Sequence, residues 1–356
     1  MPAPAPRQQP HPAPLDAGAV LAWYDRHARV LPWRVAPADR ARGVRPNPYH
    51  VWLSEIMLQQ TTIAAVRAYF LKFVSAWPTV ADLAAAPLDD VLAAWAGLGY
   101  YARARNLHAC AREVAERHGG VFPETAEALR ELPGIGAYTS AAIAAICFDE
   151  RVAVVDGNVE RVVARFTALP VPVREAKPEI GALVAAAVPA RAGDFAQAMM
   201  DIGATVCAPR RANCLVCPLS DDCLGHRGGE PLAYPVPAEK KARPERYGHA
   251  FVMRRADGAV FVRQRGPKGM LAKMTEVPGS DWIEARATPP FPVRADWRPA
   301  GEVVHTFTHF RLTLSVWAAE TGEALDEGWW SAADMLPGEA LPSLFRKVLR
   351  QAGLVA

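Results

Sequence analysis

The chain has 356 residues, enough for two domains, and 51% of them are hydrophobic. A net charge of only +3 indicates no particular class of partner. No apolar run approaches the roughly 18 residues of a membrane span, and residues 1–14 lack the hydrophobic stretch of a secretory signal. We therefore expect a soluble, intracellular protein that does not enter a membrane, with a disordered tail over residues 1–15.

Residues 16–206 predict a series of helices, because apolar residues recur at three- and four-residue spacing. The first is expected over 15–29. Asn47-Pro48 pairs a favoured N-cap with proline at the first helical position and so predicts a helix to about residue 73. Further helices are expected over 80–96, 101–118, 124–131, 138–147, 159–168, 175–188 and 194–206. This half of the chain is predicted to be all-α.

The pattern changes after residue 225. A stretch rich in Gly, Pro and charge predicts a linker over 226–246. Alternating or β-branched runs then predict strands at 250–254, 259–264 and 312–318, and helices are expected at 331–336 and 341–352. The predicted fold is therefore multidomain, with an all-α domain over 16–225 and an α+β domain over 247–356.

Basic residues are concentrated at the start of the second domain. Ten Lys or Arg and three acidic residues lie between Lys240 and Glu276. Such a segment suits a polyanion, although a solvated basic surface explains it as well.

Glu55 lies on a mostly apolar helix face. Its neighbours at three and four residues include Val51, Trp52 and Leu58, and no Lys or Arg occurs between residues 46 and 66. Desolvation there would raise the pKa of Glu55 and suit it to general acid catalysis. The alternative is a glutamate at the edge of the stripe that faces water.

Asp156 follows the apolar run 151–155 and precedes a predicted helix. Aspartate is a favoured N-cap, and Asp-Gly is common in turns. A carboxylate at this position can also face a developing cation. Both interpretations stay open, since one aspartate can serve both purposes.

A glycine-containing turn separates two predicted helices at Leu132–Thr139. Its pattern, LPGxGxxT, matches the helix-hairpin-helix motif. Gly134 and Gly136 would let the backbone approach a DNA phosphate, which the free N–H groups of the next helix would then bind. An ordinary corner between two helices is the alternative.

Four of the six cysteines fall in one short segment with spacing Cx6Cx2Cx5C: Cys207, Cys214, Cys217 and Cys223. This density indicates a metal site in a reducing compartment better than it indicates disulfides. Both an iron–sulfur cluster and zinc can use four cysteines.

Several motifs together resemble adenine DNA glycosylases of the MutY type, which belong to the helix-hairpin-helix glycosylases. The resemblance covers about residues 16–350. The motifs are VWLSEIMLQQT (51–61), GLGYYARARNL (97–107), LPGIGAYT (132–139), VVDGNVERV (154–162), QAMMDIGATVC (197–207) and the cysteine spacing.

The resemblance implies a role for each matching position in the helical domain. Glu55 would protonate N7 of adenine, and Asp156 would stabilise the oxocarbenium-like sugar after the base is flipped out. The four cysteines would hold one 4Fe-4S cluster. The other implied residues are Trp33, Arg34 and Gln197 in the adenine pocket, Gln60 and Tyr100 as wedges near the lesion, and Asn158 beside the catalytic aspartate.

Tyr138 decides the subtype of reaction within this resemblance. Endonuclease III-type relatives carry a lysine there and form a Schiff base, whereas tyrosine offers no amine. The resemblance therefore implies a monofunctional glycosylase in which Tyr138 hydrogen-bonds near the sugar.

The second domain resembles the Nudix or MutT-like domain that this family uses to recognise 8-oxoguanine. Phe307, Thr308 and His309 match its lesion-reading loop, with threonine in place of serine. Phe307 would supply a stacking or wedging surface, and the other two would supply hydrogen bonds. The stretch 36–46 has no assigned role.

We expect an enzyme that acts on double-stranded DNA with A:8-oxoguanine or A:G mispairs. We also expect it to be a monomer, cytoplasmic in a bacterium and associated with the nucleoid through DNA. Three rival functions are weighed against this one. Tyr138 opposes a bifunctional lyase, the missing acidic signature REx2EE opposes a nucleotide hydrolase, and Glu55 with Asp156 opposes a non-catalytic DNA-binding module.

Overall fold

A computed structural model describes residues 13–239, 242–266 and 269–354. Most of the predicted tail, residues 1–12, and three basic residues (Lys240, Lys241, Lys268) lie outside these ranges. The chain forms two compact units. The first comprises the described residues of Met1–Ile63, Thr79–Ala81 and Cys110–Glu239, and the second those of Ala64–Pro78, Asp82–Ala109 and Lys240–Ala356. The units divide the chain differently from the predicted domains, whose boundaries stay a prediction.

Helices dominate the chain up to residue 227. They are α1 (Ala17–His27), α2 (Pro37–Ala41), α3 (Pro48–Leu58), α4 (Ile63–Ala76), α5 (Val80–Ala85), α6 (Leu88–Trp95), α7 (Ala102–Arg117), α8 (Ala126–Arg130), α9 (Ala137–Phe148), α10 (Gly157–Phe166), α11 (Lys177–Ala187), α12 (Ala192–Asp201) and α13 (Leu224–Arg227). Two short strands, β1 (Cys207–Ala208) and β2 (Arg211–Ala212), pair antiparallel.

Three predicted helices are interrupted. The helix expected to reach residue 73 stops after Leu58 and resumes at Ile63, with Gln60 between them at a φ of 59°. The helix expected over 80–96 is broken at Pro87, because proline lacks an N–H group and its ring excludes a preceding turn. The helix expected over 194–206 ends at Asp201 and continues as a π-helical turn, Ile202–Val206.

Helix α9 forms the centre of the first unit. Nine of its residues, from Thr139 to Cys147, are buried, and most are Ala or Ile. It contacts α3, α8 and α12. The stretch 36–46 supports its end, since Arg40 donates hydrogen bonds to the carbonyl of Ile146 at 2.8 Å and to Asp149 at 2.7 Å. Small residues thus let three helices approach α9 closely.

The second unit contains a six-stranded sheet. Its strands are β3 (Glu245–Arg254), β4 (Val260–Gln264), β5 (Thr275–Glu276), β6 (Arg298–Thr306), β7 (Arg311–Glu320) and β8 (Trp329–Ser331). The order is β5-β4-β3-β7-β6, with β8 also paired to β4. Strands β3 and β7 are parallel, and the other pairs are antiparallel. Helix α14 (Ser343–Gln351) contacts β6 and contributes Leu344, Phe345, Val348 and Leu349 to the core.

Two expectations for the second domain are wrong or incomplete. No helix forms over 331–336, because Trp329–Ser331 pair with β4 and only a short 3-10 turn follows at Leu336–Gly338. Strand β6 was not predicted, since it contains proline and glycine at a register shift between Pro299 and Gly301. Within the described ranges, no helix is both long and apolar enough to span a bilayer.

Candidate active site

A cavity of about 480 Å³ opens in the first unit. Segments distant in sequence contribute to its wall. Eight of the predicted site residues line it: Trp33, Arg34, Glu55, Gln60, Tyr138, Asp156, Asn158 and Gln197. The cavity size suits a small molecule or a single base.

Glu55 is buried, with 8% of its surface exposed, so the alternative of a water-facing glutamate is wrong. The hydroxyl of Tyr138 donates a hydrogen bond to Glu55 Oε2 at 2.9 Å. Burial raises the pKa of Glu55 from its ordinary 4.5 to about 7, although the bond from Tyr138 opposes the shift. Asp156 raises this pKa further and Arg34 lowers it. Near neutral pH, a large fraction of Glu55 therefore carries a proton.

Asp156 is the N-cap of α10, as one of the two interpretations predicted. Its Oδ1 accepts hydrogen bonds from the backbone N–H groups of Asn158 at 2.9 Å and Val159 at 2.8 Å. Its Oδ2 accepts a bond from the side chain of Asn158 at 2.7 Å. The carboxylate also lines the cavity, so the structure leaves room for both interpretations.

Buried residues of α12 and of the segment after α1 also line the cavity. Trp33 is 6% exposed and Gln197 is 2% exposed, with its amide donating to the carbonyl of Gly193 at 3.3 Å. Arg34 Nη1 lies 2.9 Å from both carboxylate oxygens of Asp201. Aromatic and amide groups of this kind suit a nucleobase.

The predicted hairpin joins α8 to α9. Gly134 has a φ of 75°, which favours glycine, whereas Gly136 is extended and is the N-cap of α9. Gly136 provides no side-chain cap, and the first turn of α9 contains no acidic residue. The N-terminus of a 12-residue helix is thus left able to bind an anion.

The four clustered cysteines line one small cavity together with Arg165 and His226. Arg165 is buried and donates a hydrogen bond from Nη1 to Cys207 Sγ at 3.3 Å, and its own carbonyl lies 3.5 Å from Cys223 Sγ. Over the described residues, no three His, Cys, Asp or Glu side chains are arranged tightly enough to hold a single metal ion. The four thiol groups in this lining are a donor set that both an iron–sulfur cluster and a zinc ion can use.

Four predicted site residues lie in the second unit. Thr308 and His309 are exposed between β6 and β7, and Thr308 Oγ1 is 3.1 Å from the hydroxyl of Tyr100. Phe307 is half-buried and stacks on Trp282, with ring centroids 5.5 Å apart. The structure thus brings Tyr100 and Thr308 together and packs Phe307 into its own domain.

Comparisons with known proteins agree with both halves of this architecture. The family model "HhH-GPD superfamily base excision DNA repair protein" matches residues 53–178, and the model "NUDIX domain" matches residues 249–351. The adenine DNA glycosylase of Mycobacterium tuberculosis is 43% identical over 215 residues, which are 60% of this chain and 68% of that protein. This chain belongs to the adenine DNA glycosylases.

Two further proteins are similar to this chain, one in sequence and one in solved structure. The human adenine DNA glycosylase is 37% identical over 361 residues, which cover 84% of this chain but 66% of the human protein. A solved structure of a thermostable thymine-DNA glycosylase is 28% identical with a TM-score of 0.52, and covers 60% of this chain and 95% of that one. This chain thus combines a helical HhH-GPD domain with a C-terminal Nudix-like domain that contains a sheet.

Sequence reasoning missed several residues of the cavity and its support. Arg29 and Met200 line the cavity, and Asp201 binds two arginines behind it. Arg161 donates one hydrogen bond to Asn158 Oδ1 and another to the carbonyl of Cys207, both at 2.9 Å. The sequence could have indicated Asp201, because it follows the predicted pocket residue Gln197 by four residues and so lies on the same helix face.

Replacing Glu55 by Gln should stabilise the protein more at pH 8 than at pH 5. The pKa of Glu55 is raised to about 7 in the folded state, so its favourable contribution is full below about 4.5 and is lost as pH rises through 7. Glutamine cannot ionise and avoids this loss, which amounts to at most about 3 kcal/mol at high pH.

Thermal unfolding of wild type and Glu55→Gln at both pH values measures the effect. Exposed Glu124→Gln is the matched control, for which the difference between the two pH values should stay near that of wild type. An equal effect of Glu55→Gln at pH 5 and pH 8 would contradict a raised pKa.

Proposed function

We propose that this chain excises adenine paired with 8-oxoguanine, or with G, by hydrolysis of the N-glycosidic bond, without cleaving the DNA strand. The observation that carries the proposal is the pairing, in one cavity, of a buried protonatable carboxyl with an ionisable carboxylate held by a helix cap. Two carboxyl groups in different environments are suited to acid and electrostatic roles.

Glu55 acts as the acid. Adenine is a poor leaving group until it is protonated, and transfer of the Glu55 proton to N7 lets the electrons of the glycosidic bond pass to the base. Because Tyr138 donates to Oε2, the second oxygen of Glu55 is left to carry the proton toward the base. Trp33 and Gln197, which line the cavity, would hold the flipped adenine.

Asp156 stabilises the positive charge that develops on the sugar. Its carboxylate is fixed by three hydrogen bonds and needs no rearrangement as the charge appears. Water then adds its oxygen to the sugar carbon and loses a proton, which balances the proton that Glu55 gave to the base and completes hydrolysis. Tyr138 supplies no amine for a Schiff base, which supports a monofunctional reaction over a lyase.

Double-stranded DNA is the proposed partner. The N-terminus of α9 after Gly136 would bind a backbone phosphate without regard to sequence. Gln60 lies at the rim of the cavity in a left-handed conformation, where it can serve as a wedge beside the flipped base.

The four cysteines would hold one 4Fe-4S cluster. Such a cluster needs four thiolates, and the guanidinium of Arg165 would donate a hydrogen bond to the sulfur of Cys207. When bound, the cluster would tie the four cysteines together, and Arg210 and Arg211 would lie between its first two ligands.

The turn between β6 and β7 would read the lesion. Thr308 and His309 are exposed and offer hydrogen-bonding groups, while the stack of Phe307 on Trp282 fixes the base of the turn. The contact between Tyr100 and Thr308 supports a shared role for these two residues at 8-oxoguanine.

Incubation with duplex DNA tests the reaction. Wild-type protein should produce strand breaks at A:8-oxoguanine and A:G, but not at A:T, and only after alkali is added. Glu55→Gln should bind duplex and lose excision. Asp156→Asn should also lose most activity, although Asn and Asp cap helices about equally well.

Each arm has an outcome that opposes the proposal. Strand breaks without alkali would indicate a lyase. Near wild-type single-turnover excision by Glu55→Gln would refute its role as acid. A fully active Asp156→Asn variant would show that Asp156 serves only as an N-cap.

The purified chain should be brown and contain about four iron atoms and four sulfides per molecule. Cys214→Ser should lower both contents together, whereas Cys110→Ser, at a buried cysteine outside the loop, should leave them unchanged in folded protein. Zinc without iron, in protein prepared anaerobically with ample iron, would contradict the cluster.

Thr308→Ala should reduce the preference for A:8-oxoguanine over A:G more than it reduces excision itself. Loss of one polar contact to a base edge costs about 1–3 kcal/mol of discrimination. Thr308→Ser keeps the hydroxyl and should retain the preference, and Thr321→Ala is a control just beyond the other end of β7. Competition binding measures the preference, and an unchanged value for Thr308→Ala with His309→Ala would locate lesion reading elsewhere.

A further inference from the structure

Asp201 is a carboxylate without exposed surface at the end of α12. Arg29 donates to it from its backbone N–H at 3.0 Å and from Nε at 2.6 Å. Arg34 donates from Nη1 to both of its oxygens at 2.9 Å. One buried carboxylate therefore fixes two arginines that both line the cavity of Glu55.

The backbone around Asp201 is held against the Asp156 turn. The π-helical turn Ile202–Val206 begins immediately after Asp201. A Cβ on Gly203 would lie 2.6 Å from Asn158 Cβ, so these two segments pack too closely for any other residue. Rare π-helical turns often occur at functional sites, where they re-aim side chains. The backbone two residues after Asp201 therefore packs directly on the residue two after Asp156.

Arg34 has an electrostatic effect that works against the proposed acid. Its positive charge favours the ionised form of Glu55. The other titratable groups that act on Glu55 are Tyr138 of α9 and the carboxylate of Asp156 before α10, and Glu55 in turn raises the pKa of Cys147 of α9. On the far side, Arg34 and Asp201 face the phenol of Tyr24, whose burial raises its pKa to about 12 and keeps it neutral.

We propose that Asp201 is a positioning residue for base excision, which fixes Arg34 in the cavity and offsets its charge so that Glu55 can act as an acid at neutral pH. The inference rests on the proposed role of Glu55. Without the Asp201 charge, Arg29 and Arg34 would form an uncompensated cationic pair next to the cavity.

The test is the pH profile of single-turnover excision, measured with the full chain from pH 5 to pH 9. Asp201→Asn should move the midpoint of the decline to lower pH by about one unit. For a rate that follows the protonated acid, this shift predicts about a tenfold loss at pH 8 and less than about a twofold loss at pH 5. Arg34→Gln should move the midpoint in the opposite direction, to higher pH, even if its maximal rate falls.

Asp194→Asn is the matched control. Asp194 is also buried on α12 and pairs with Arg191 at 2.8 Å and Arg40 at 3.4 Å, but it does not line the cavity. It should lower the thermal midpoint and leave the midpoint of the pH profile in place. Asp201→Asn should therefore differ from Asp194→Asn in the pH profile and resemble it in stability.

An equal loss of rate at every pH with an unchanged midpoint would overturn the inference and leave Asp201 a structural residue. If Asp201→Asn does not fold, an unchanged or lowered midpoint in Arg34→Gln overturns it instead. Failure of the proposed acid is a separate result, because it would appear as excision by Glu55→Gln or as a wild-type rate that does not decline through neutral pH.

Discussion

Burial of the Glu55 carboxyl is the constraint on which the rest of the site depends. A buried carboxyl group must either lose its charge or find a cation, and Arg34, the cation that lowers the pKa of Glu55, is engaged by Asp201. The protein thus keeps Glu55 protonated at a cost of about 3 kcal/mol at high pH, a sizeable part of the 5–15 kcal/mol by which domains are typically stable. The burial that lowers the stability of the folded protein at high pH is the same burial that keeps Glu55 available as an acid near neutral pH.

Asp156 shows how one requirement of folding can serve chemistry. A helix needs acceptors for its first N–H groups, and the cap at α10 satisfies two of them with Oδ1. The same bonds hold the carboxylate rigid, and the side chain of Asn158 fixes its second oxygen. A preorganised charge stabilises a cation better than a mobile one, because no reorientation is needed during the reaction. Capping and the proposed electrostatic role therefore reinforce one another.

The sequence predicted features that depend on neighbouring residues. The cap at Asp156, the hairpin glycines and the apolar face around Glu55 are local, and each lies where it was expected. Interactions between distant residues could not be predicted, such as that of Arg34 with Asp201, which are 167 residues apart. No basic residue lies near Glu55 in the sequence, but the inference that no cation is close was incomplete, because Arg34 reaches the cavity from another segment.

The interruption of the helix expected to reach residue 73 comes from backbone that leaves its regular path at Gln60. Gln60 and Tyr100 have φ values of 59° and 50°, in a region that is unfavourable for residues with a Cβ. Helical periodicity continues through Leu58 and gives no sign of such a turn. Strain of this kind persists where the surrounding structure enforces it, and it concentrates at functional sites. Both residues are proposed wedges, and a wedge is better presented from a turn than from a helix face, where its side chain would lie along the neighbouring turns. At Gln60 the interruption of a predicted helix thus coincides with a proposed DNA contact.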